Sequence, residues 1–373
     1  MKIGVLTGGG DCPGLNAVIR AVVKTAINDY EMEVVGFFDG YDGLVVNRYR
    51  ELDSGDVSGI LTLGGTILGT SNRADPFNFP VLQGDEYIYI DRSSQALQNF
   101  ENLGLDALIA IGGDGTMAAS HGMAEKGINI IGVPKTIDND LWGTDQTFGF
   151  DSAVTSAVDA IDKIHSTAQS HHRAMIVEVM GRYAGWLALA SGIAGGGDAI
   201  LIPEIPYQID VICDMIKTRN RKGRNFSIII IGEGAKPEGG DVVVKRMVKN
   251  SPDQIRLGGI SNQLAAQIEG ITTLETRVTI LGHLLRGGTP TAYDRILASR
   301  FGIEAVRLAA EKKYGRMVAL KGSEIDSVPI QEVAGRIRKV TIDSALLKTA
   351  VSLHTCLGAN DLSALEEKPV AIE

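Results

Sequence analysis

Two stretches concentrate the residues best able to do chemistry: Gly112-Gly113-Asp114-Gly115-Thr116 and Pro134-Lys135-Thr136-Ile137-Asp138-Asn139-Asp140. The glycines of the first let backbone N–H groups face a polyanion, at the positive end of the helix that follows. A carboxylate inside such a cradle repels bare phosphate. Asp114 therefore points to a Mg²⁺ set between carboxylate and phosphates. The same residues also suit a tight strand-to-helix turn in which Asp114 caps the helix. The second stretch gathers carboxylates, a hydroxyl and a lysine, which together can position and deprotonate an alcohol beside phosphates. It equally suits a turn rich in Asx caps.

Cations decide between these readings. Arg73, Arg173, Arg182, Arg277, His283 and Arg286 all fall at or near expected strand–loop junctions. Meeting at one edge of the sheets, they would form a phosphate pocket in an otherwise acidic protein. A rival reading exists, because Gly113-x-Gly115-x-x-Ala118 fits a dinucleotide fingerprint. Asp114 inside the turn counts against it, since the pyrophosphate would sit there. No Gly-Lys dipeptide occurs, so there is no Walker A motif. His171-His172 lacks metal-ligand spacing.

The elements that must position these loops are short. Ile3–Leu6, Val34–Phe38, Ala107–Ile111, Ile128–Val133, Ala174–Val179, Ala199–Ile202, Ile228–Ile231 and Val278–Leu281 read as buried strands. Helical spacing covers Leu15–Ile27, with Asn16 near its start, and Phe150–Ile164, with Asp151 as a cap. Strands alternating with helices imply an α/β fold with parallel sheets and helices on both faces. Ligands in such folds bind beyond the carboxyl ends of the strands, where these loops lie. Residues 75–90 and 236–256, with their prolines and glycines, read as insertions or linkers. The polar tail after Leu357 is expected to fray.

Composition bounds the rest. The 373 residues correspond to two or three domains at ~150 residues each, enough to bury a core without disulfide or metal staples. Lys+Arg minus Asp+Glu is 36 − 45 = −9, which argues against an electrostatic nucleic-acid binder. Cys12, Cys213 and Cys356 are odd in number and show no framework spacing, as expected in a reducing compartment. The chain opens directly on strand residues and carries no membrane-length apolar run. A soluble, cytoplasmic protein is expected, with no membrane partner.

Taken together, the loops resemble the phosphofructokinase family. The matching stretches are Gly4-Val5-Leu6-Thr7-Gly8-Gly9-Gly10-Asp11, Leu15-Asn16-Ala17, Gly112-Gly113-Asp114-Gly115 and Thr136-Ile137-Asp138-Asn139-Asp140. They continue through Val177-Glu178-Val179-Met180-Gly181-Arg182-Tyr183, Leu281-Gly282-His283, Arg286-Gly287-Gly288 and Tyr293-Asp294-Arg295, in family order. The resemblance implies two Rossmann-like three-layer domains with mainly parallel sheets and the active site in the cleft between them. Residues 1–148 plus 284–335 would bind nucleotide, 149–283 would bind sugar phosphate, and 336–373 would pack on the second domain.

The activity implied is transfer of the γ-phosphoryl of MgATP to the 1-hydroxyl of fructose 6-phosphate. Asp138 would be the base that takes the hydroxyl proton, and Asp114 the Mg²⁺ carboxylate. Gly10, Arg73 and Gly113, Asp114, Gly115 and Thr116 would form the nucleotide site, with Arg182 and Arg73 stabilising the transferred phosphoryl. Thr136, with Ile137 beside it, would orient phosphoryl group and alcohol. Met180, Gly181 and Glu233 would hold sugar hydroxyls. Arg173, Arg277, His283 and Arg286, with Leu284 and Leu285 between them, would receive the 6-phosphate. In the family the equivalents of Arg173 and Arg277 come from a neighbouring subunit, so a homo-oligomer, usually a homotetramer, is implied.

Two positions bear on the donor. Pyrophosphate-using members usually carry Asp where Gly115 stands, and that side chain blocks the space for the nucleotide α-phosphate. Lys135 is instead the residue typical of the pyrophosphate group. Gly115 outweighs it, because a larger donor cannot evade a steric block, so ATP is the expected donor and pyrophosphate the alternative. At the family's effector positions Arg20, Lys24, Lys222 and Arg224 are present, but Ser54 and His165 replace arginines and Asp198 a glutamate. Weak or altered control by ADP and phosphoenolpyruvate is expected. A dehydrogenase, or a non-catalytic sugar-phosphate sensor on this fold, is the alternative outside the kinases. Sedoheptulose 7-phosphate is a conceivable second substrate.

Overall fold

The computed structural model describes residues 1–84, 86–247, 255–272, 274–362 and 365. Its strands, in chain order, begin with β1 (Lys2–Thr7), β2 (Glu33–Phe37), β3 (Tyr49–Leu52), β4 (Phe79–Gln83), β5 (Glu86–Ile90), β6 (Ala107–Gly112) and β7 (Ile130–Pro134). They continue with β8 (Ala174–Val179), β9 (Ala199–Leu201), β10 (Ser227–Gly232), β11 (Val244–Met247), β12 (Ile255–Leu257), β13 (Thr276–Ile280), β14 (Arg316–Lys321) and β15 (Glu324–Pro329).

Two large sheets carry the molecule. The first has the order β15-β14-β7-β6-β1-β2-β3 and the second β13-β8-β10-β9. Every pair in the second sheet is parallel, whereas β3 and β15 close the edges of the first as antiparallel strands. The chain leaves the first sheet after β7, builds the whole second sheet, and returns through the helix Ala292–Ala310 to add β14 and β15. β6, β8 and β10 are buried along their full length, which is why their sequences are unbroken apolar runs rather than alternating ones.

Several expectations need correction. The helix expected over Phe150–Ile164 runs on to His171 and is capped by Gly149 at φ 94°, not by Asp151. The Asp151 carboxylate instead accepts the Thr291 hydroxyl at 2.6 Å. The first-turn N–H of Ser152 is taken by the buried Asp294 at 2.8 Å, a carboxylate 142 residues away that local sequence could not reveal. Asn16 does not cap its helix, which extends from Leu15 to Tyr30; its amide donates to the Leu63 and Gly64 carbonyls and accepts from Ile67 N–H.

Residues 75–90 contain a hairpin, because β4 and β5 pair antiparallel. β11 and β12 pair likewise within 236–256, and residues 248–254 of that stretch lie outside the described residues. The chain stays bonded as far as Gly358, where Ile200 N–H donates to the Cys356 carbonyl and Gln208 N–H to the Gly358 carbonyl, both at 2.8 Å. Residues 363, 364 and 366–373 lie outside the described residues. No helix among the described residues is long and apolar enough to cross a membrane.

The helices Leu15–Tyr30 and Ala292–Ala310 pack closely where Gly302 meets the first helix. A Cβ at Gly302 would lie 2.8 Å from Ala21 Cβ and 2.9 Å from the Val18 carbonyl oxygen. Backbone cannot yield there as a flexible side chain would. Gly302→Ala is therefore expected to cost about 1–3 kcal/mol by overpacking. Urea unfolding should show a lower midpoint with an unchanged slope.

Candidate active site

The parallel strands β1, β6, β7 and β8 end at one cavity of about 600 Å³. Its walls include Gly8 to Gly10, Asn72 to Asp75, Gly113 to Thr116, Thr136, Asp138, Arg182 and Arg286. Apart from Asn72 to Asp75, which lie in the long connection between β3 and β4, each group arrives on a loop after a strand, so the sheets fix the spacing and the loops supply the chemistry.

The glycine loop is built as the sequence implied. Gly113 precedes the helix Asp114–Glu125, and Asp114 stands in its first turn with no side-chain capping bond made by Gly113. The Asp114 side chain is exposed at the cavity, so it is not consumed as a structural cap. At Gly115 a Cβ would meet nothing within 4 Å, so the space before this residue is open. Gly112 has the opposite reason to be glycine, since a Cβ there would collide with the Thr116 side chain.

Asp138 is the centre of the charge arrangement. It is 5% exposed, and its Oδ1 is buried without a hydrogen-bond partner. Its own N–H donates to Thr136 Oγ1 at 3.0 Å. Asn139 follows in the left-handed region at φ 54°, held by Thr147 N–H donating to its Oδ1 at 3.0 Å. Burial raises the Asp138 pKa, the guanidinium groups of Arg286 and Arg182 oppose that rise, and Asp114 adds to it. Asp140 beside it is pushed up to about 8, by burial first and then by the charge of Asp138.

Three cations stand around this carboxylate. The Lys135 ammonium, 3% exposed, donates to the Gly10 carbonyl, and burial lowers its pKa. Arg286 Nη1 donates to the Asp11 carbonyl at 3.2 Å. A Cβ at Gly10 would sit 2.5 Å from that nitrogen, so glycine is what lets the guanidinium lie against this turn. Arg182 adopts φ 46°, and its N–H donates to Glu233 Oε1 at 3.3 Å. A Cβ at Gly234 would collide with the Arg182 carbonyl, which explains the glycine after Glu233.

The structure does not bring every expected residue to the cavity. Gly10, Arg73, Gly113, Asp114, Gly115, Thr116, Thr136, Asp138, Arg182 and Arg286 line it. Ile137 and Leu285 do not: their side chains are core, at 0% and 1% exposure, because the apolar positions of these loops turn inward. Met180 packs partly buried against the core, and Gly181 at φ 135° shapes the turn before Arg182. His283 is exposed rather than a core histidine, and Leu284 beside it is 73% exposed.

Arg173 and Arg277 contradict the expectation that all the cations meet at one edge. Arg173 precedes β8 and Arg277 lies at the start of β13, the amino ends of strands whose carboxyl ends face the cavity. Both bind Glu275, Arg173 through Nε at 2.5 Å.

Sequence reasoning missed part of the wall. Ile337 and Lys339 line the cavity, and they belong to the C-terminal segment expected to pack on the second domain. No local pattern marked it, since Ile337-Arg338-Lys339-Val340 puts one apolar and one charged residue on each face of an extended segment.

Among the described residues no three His, Cys, Asp or Glu side chains cluster as a resident metal site. The exposed Asp114 beside the open glycine cradle does fit a Mg²⁺ that arrives with phosphates, since Mg²⁺ takes one or two carboxylates and keeps water and phosphate ligands.

A profile of the phosphofructokinase family matches residues 2–309. The chain is 51% identical over 354 residues to a protein named ATP-dependent 6-phosphofructokinase 2 from Clostridium perfringens, covering 94% of this chain and 97% of that one. It is 48% identical over 344 residues to a pyrophosphate–fructose 6-phosphate 1-phosphotransferase from Amycolatopsis mediterranei, covering 92% and 97%. Among solved structures, phosphofructokinase from Saccharomyces cerevisiae superposes with a TM-score of 0.74 at 33% identity. That match covers 89% of this chain, which spans 45% of the yeast chain.

Glu233 allows a pH test of this electrostatic arrangement. Burial first, and then the charge of Asp138, push its carboxyl from 4.5 up to about 7. The folded state thus keeps a proton that the unfolded chain has released, and stability falls as pH rises between those values. Glu233→Gln removes that titration. Urea unfolding of ligand-free protein at about pH 5 and about pH 8 should show the wild type losing up to about 3 kcal/mol more than the variant.

Proposed function

The chain belongs to the phosphofructokinase family, and from that premise we propose that the cavity transfers the γ-phosphoryl of ATP to the 1-hydroxyl of fructose 6-phosphate. The products are fructose 1,6-bisphosphate and ADP, and the setting is cytoplasmic glycolysis. The observation that carries the reading is the nearly buried Asp138 among Arg182, Arg286 and Lys135, on the wall of the same cavity as the cradle Gly113 to Thr116.

Phosphoryl transfer asks mainly for positioning and charge neutralisation, plus a base for the attacking hydroxyl. Asp138 serves as that base: its residue lines the cavity, and burial makes its carboxylate a better proton acceptor. Thr136, whose Oγ1 already accepts from Asp138 N–H, orients hydroxyl and phosphoryl group together. Arg182 and Arg73 oppose the charge that develops on the transferred group. Gly10 and Gly113 to Thr116 hold the nucleotide phosphates, and Asp114 holds the Mg²⁺ that comes with them. Such an ion would supply charge neutralisation at the phosphates.

Met180, Gly181 and Glu233 hold sugar hydroxyls, and Arg286 and His283 hold the 6-phosphate. Ile137, Leu284 and Leu285 contribute main chain only. The open space at Gly115 favours ATP as donor. One observation favours the second reading, a pyrophosphate donor: Lys135 lines the same cavity. Its ammonium is engaged by the Gly10 carbonyl, which leaves Gly115 the stronger determinant.

Arg173 and Arg277 sit at the strand ends away from their own cavity, tethered by an exposed Glu275. That placement suits residues that complete the site of a neighbouring subunit, and we assign them the 6-phosphate across the interface of a homotetramer.

Two experiments test the scheme. With saturating MgATP and fructose 6-phosphate, Asp138→Asn is expected to lower kcat by about 10²-fold or more, the scale of a lost general base. Unchanged turnover would remove Asp138 from the chemistry. Subunit mixing tests the shared site. Asp138→Asn and Arg277→Ala proteins, each of low activity, should regain activity when dissociated and reassembled together, because some sites then draw both intact residues. Failure to regain it in confirmed hetero-oligomers would place Arg277 outside the neighbour's site.

A further inference from the structure

The segment Arg336–Val340 crosses the wall of the cavity as a strap bonded to both halves of the molecule. On the first half, Ile337 bridges Leu141, and Arg338 N–H donates to the Asp140 carbonyl at 2.7 Å. On the second half, Val340 N–H donates to Glu204 Oε1 at 2.8 Å, and the same oxygen accepts Gly185 N–H at 3.0 Å. Ile337 and Lys339 face the cavity. Arg338 between them points the other way, as extended backbone requires.

The Arg338 side chain ties the strap to the chemistry. Its Nη2 and Nε donate to the Asn139 carbonyl at 3.0 and 3.3 Å. Its guanidinium lies over the Trp186 ring, 4.3 Å from the centroid. Trp186 Nε1–H in turn donates to the Arg338 carbonyl at 2.7 Å. Asn139 is the left-handed residue directly after Asp138, so its carbonyl reports the orientation of the turn that aims Asp138. Trp186 opens the helix that follows the Arg182 turn. One planar group thus grips both the base turn and the helix behind the opposing arginine. An ammonium cannot copy a stacked, two-nitrogen grip.

We propose that Arg338 is a positioning residue for the transfer reaction, setting Asp138 on one half of the cleft against Arg182 on the other. It touches neither phosphates nor sugar; it acts through Asn139 and Trp186. The proposal rests on the phosphotransferase reading given above. It makes the C-terminal strap part of the reaction apparatus rather than a surface extension. Binding of either substrate alone does not need the clamp, because the groups assigned to each lie on separate loops. The reaction needs both sets in register, and misplacement by about 1 Å is enough to cost about 10²-fold in rate.

The test uses the full-length protein and the variants Arg338→Ala, Arg338→Lys and Trp186→Phe, with the exposed Arg336→Ala as control. Arg338→Ala should lower kcat by about 10- to 100-fold while the KM values for ATP and fructose 6-phosphate stay within about threefold, the signature of lost registration. Arg338→Lys and Trp186→Phe should fall between it and the wild type, and Arg336→Ala should match the wild type. Amide hydrogen exchange by mass spectrometry is the second readout and needs no turnover. In Arg338→Ala, exchange should quicken in peptides spanning 136–147 and 182–190, with the strand Lys2–Thr7 unchanged. A folded Arg338→Ala protein with wild-type kcat overturns the proposal. So does a fall in kcat matched by general loss of exchange protection, which would make Arg338 merely structural. A wild-type protein that turns over neither donor would fail the phosphotransferase reading, while the exchange result would still decide whether the clamp exists.

Discussion

Burying a carboxylate with a free oxygen is the constraint on which the rest of the site depends. Asp138 lies out of water with Oδ1 unsatisfied, a position that costs several kcal/mol unless other charges offset it. Arg286, Arg182 and Lys135 provide that offset, each from a different loop. Asp114 and Asp140 work against it, and their repulsion joins burial in raising the carboxyl pKa values at the cleft. On the proposed reading an incoming polyanion with its cation would change this balance, giving Asp114 a cation to hold and the arginines an anion to bind. The acceptor hydroxyl would, on the same reading, meet Asp138 where it lines the cavity.

Keeping such a cluster in place needs rigid supports and close approaches of backbone. The parallel strands β1, β6, β7 and β8 are buried and bring their turns to a fixed rim. At Gly10 and Gly234 a side chain would push out Arg286 or the Arg182 backbone. Helix starts are tied across the molecule rather than locally, as Asp294 does for Ser152. The strap carrying Arg338 adds a link between the halves that the sheets themselves do not provide. The same rule runs through all these contacts: the loop positions are set by partners distant in sequence.

That rule explains what the sequence showed and what it concealed. Residues after β1, β6, β7 and β8 were legible because unbroken apolar runs mark buried parallel strands, and the loop after such a strand is where ligands bind. The glycines and carboxylates of those loops then named their own chemistry. Strand direction and side-chain facing left no local mark. Strand direction, which sends Arg173 and Arg277 to the far end of the second sheet, is a property of topology and not of any local pattern. Side-chain facing within a loop escaped as well, so that Ile137 and Leu285 stood among site residues although both are core. Asp151 has the composition of a cap, but Gly149 and Asp294 took that role through tertiary packing. Residues 337–340 carry no period-2 pattern, so nothing local said which surface either face of that extended segment would meet.

The most direct measurement is the rate of fructose 1,6-bisphosphate formation from fructose 6-phosphate and Mg²⁺, with ATP and pyrophosphate compared side by side. The account predicts turnover with ATP and none with pyrophosphate, because the open space at Gly115 admits the nucleotide. Turnover with pyrophosphate alone would contradict it and make Lys135 the residue that selects the donor.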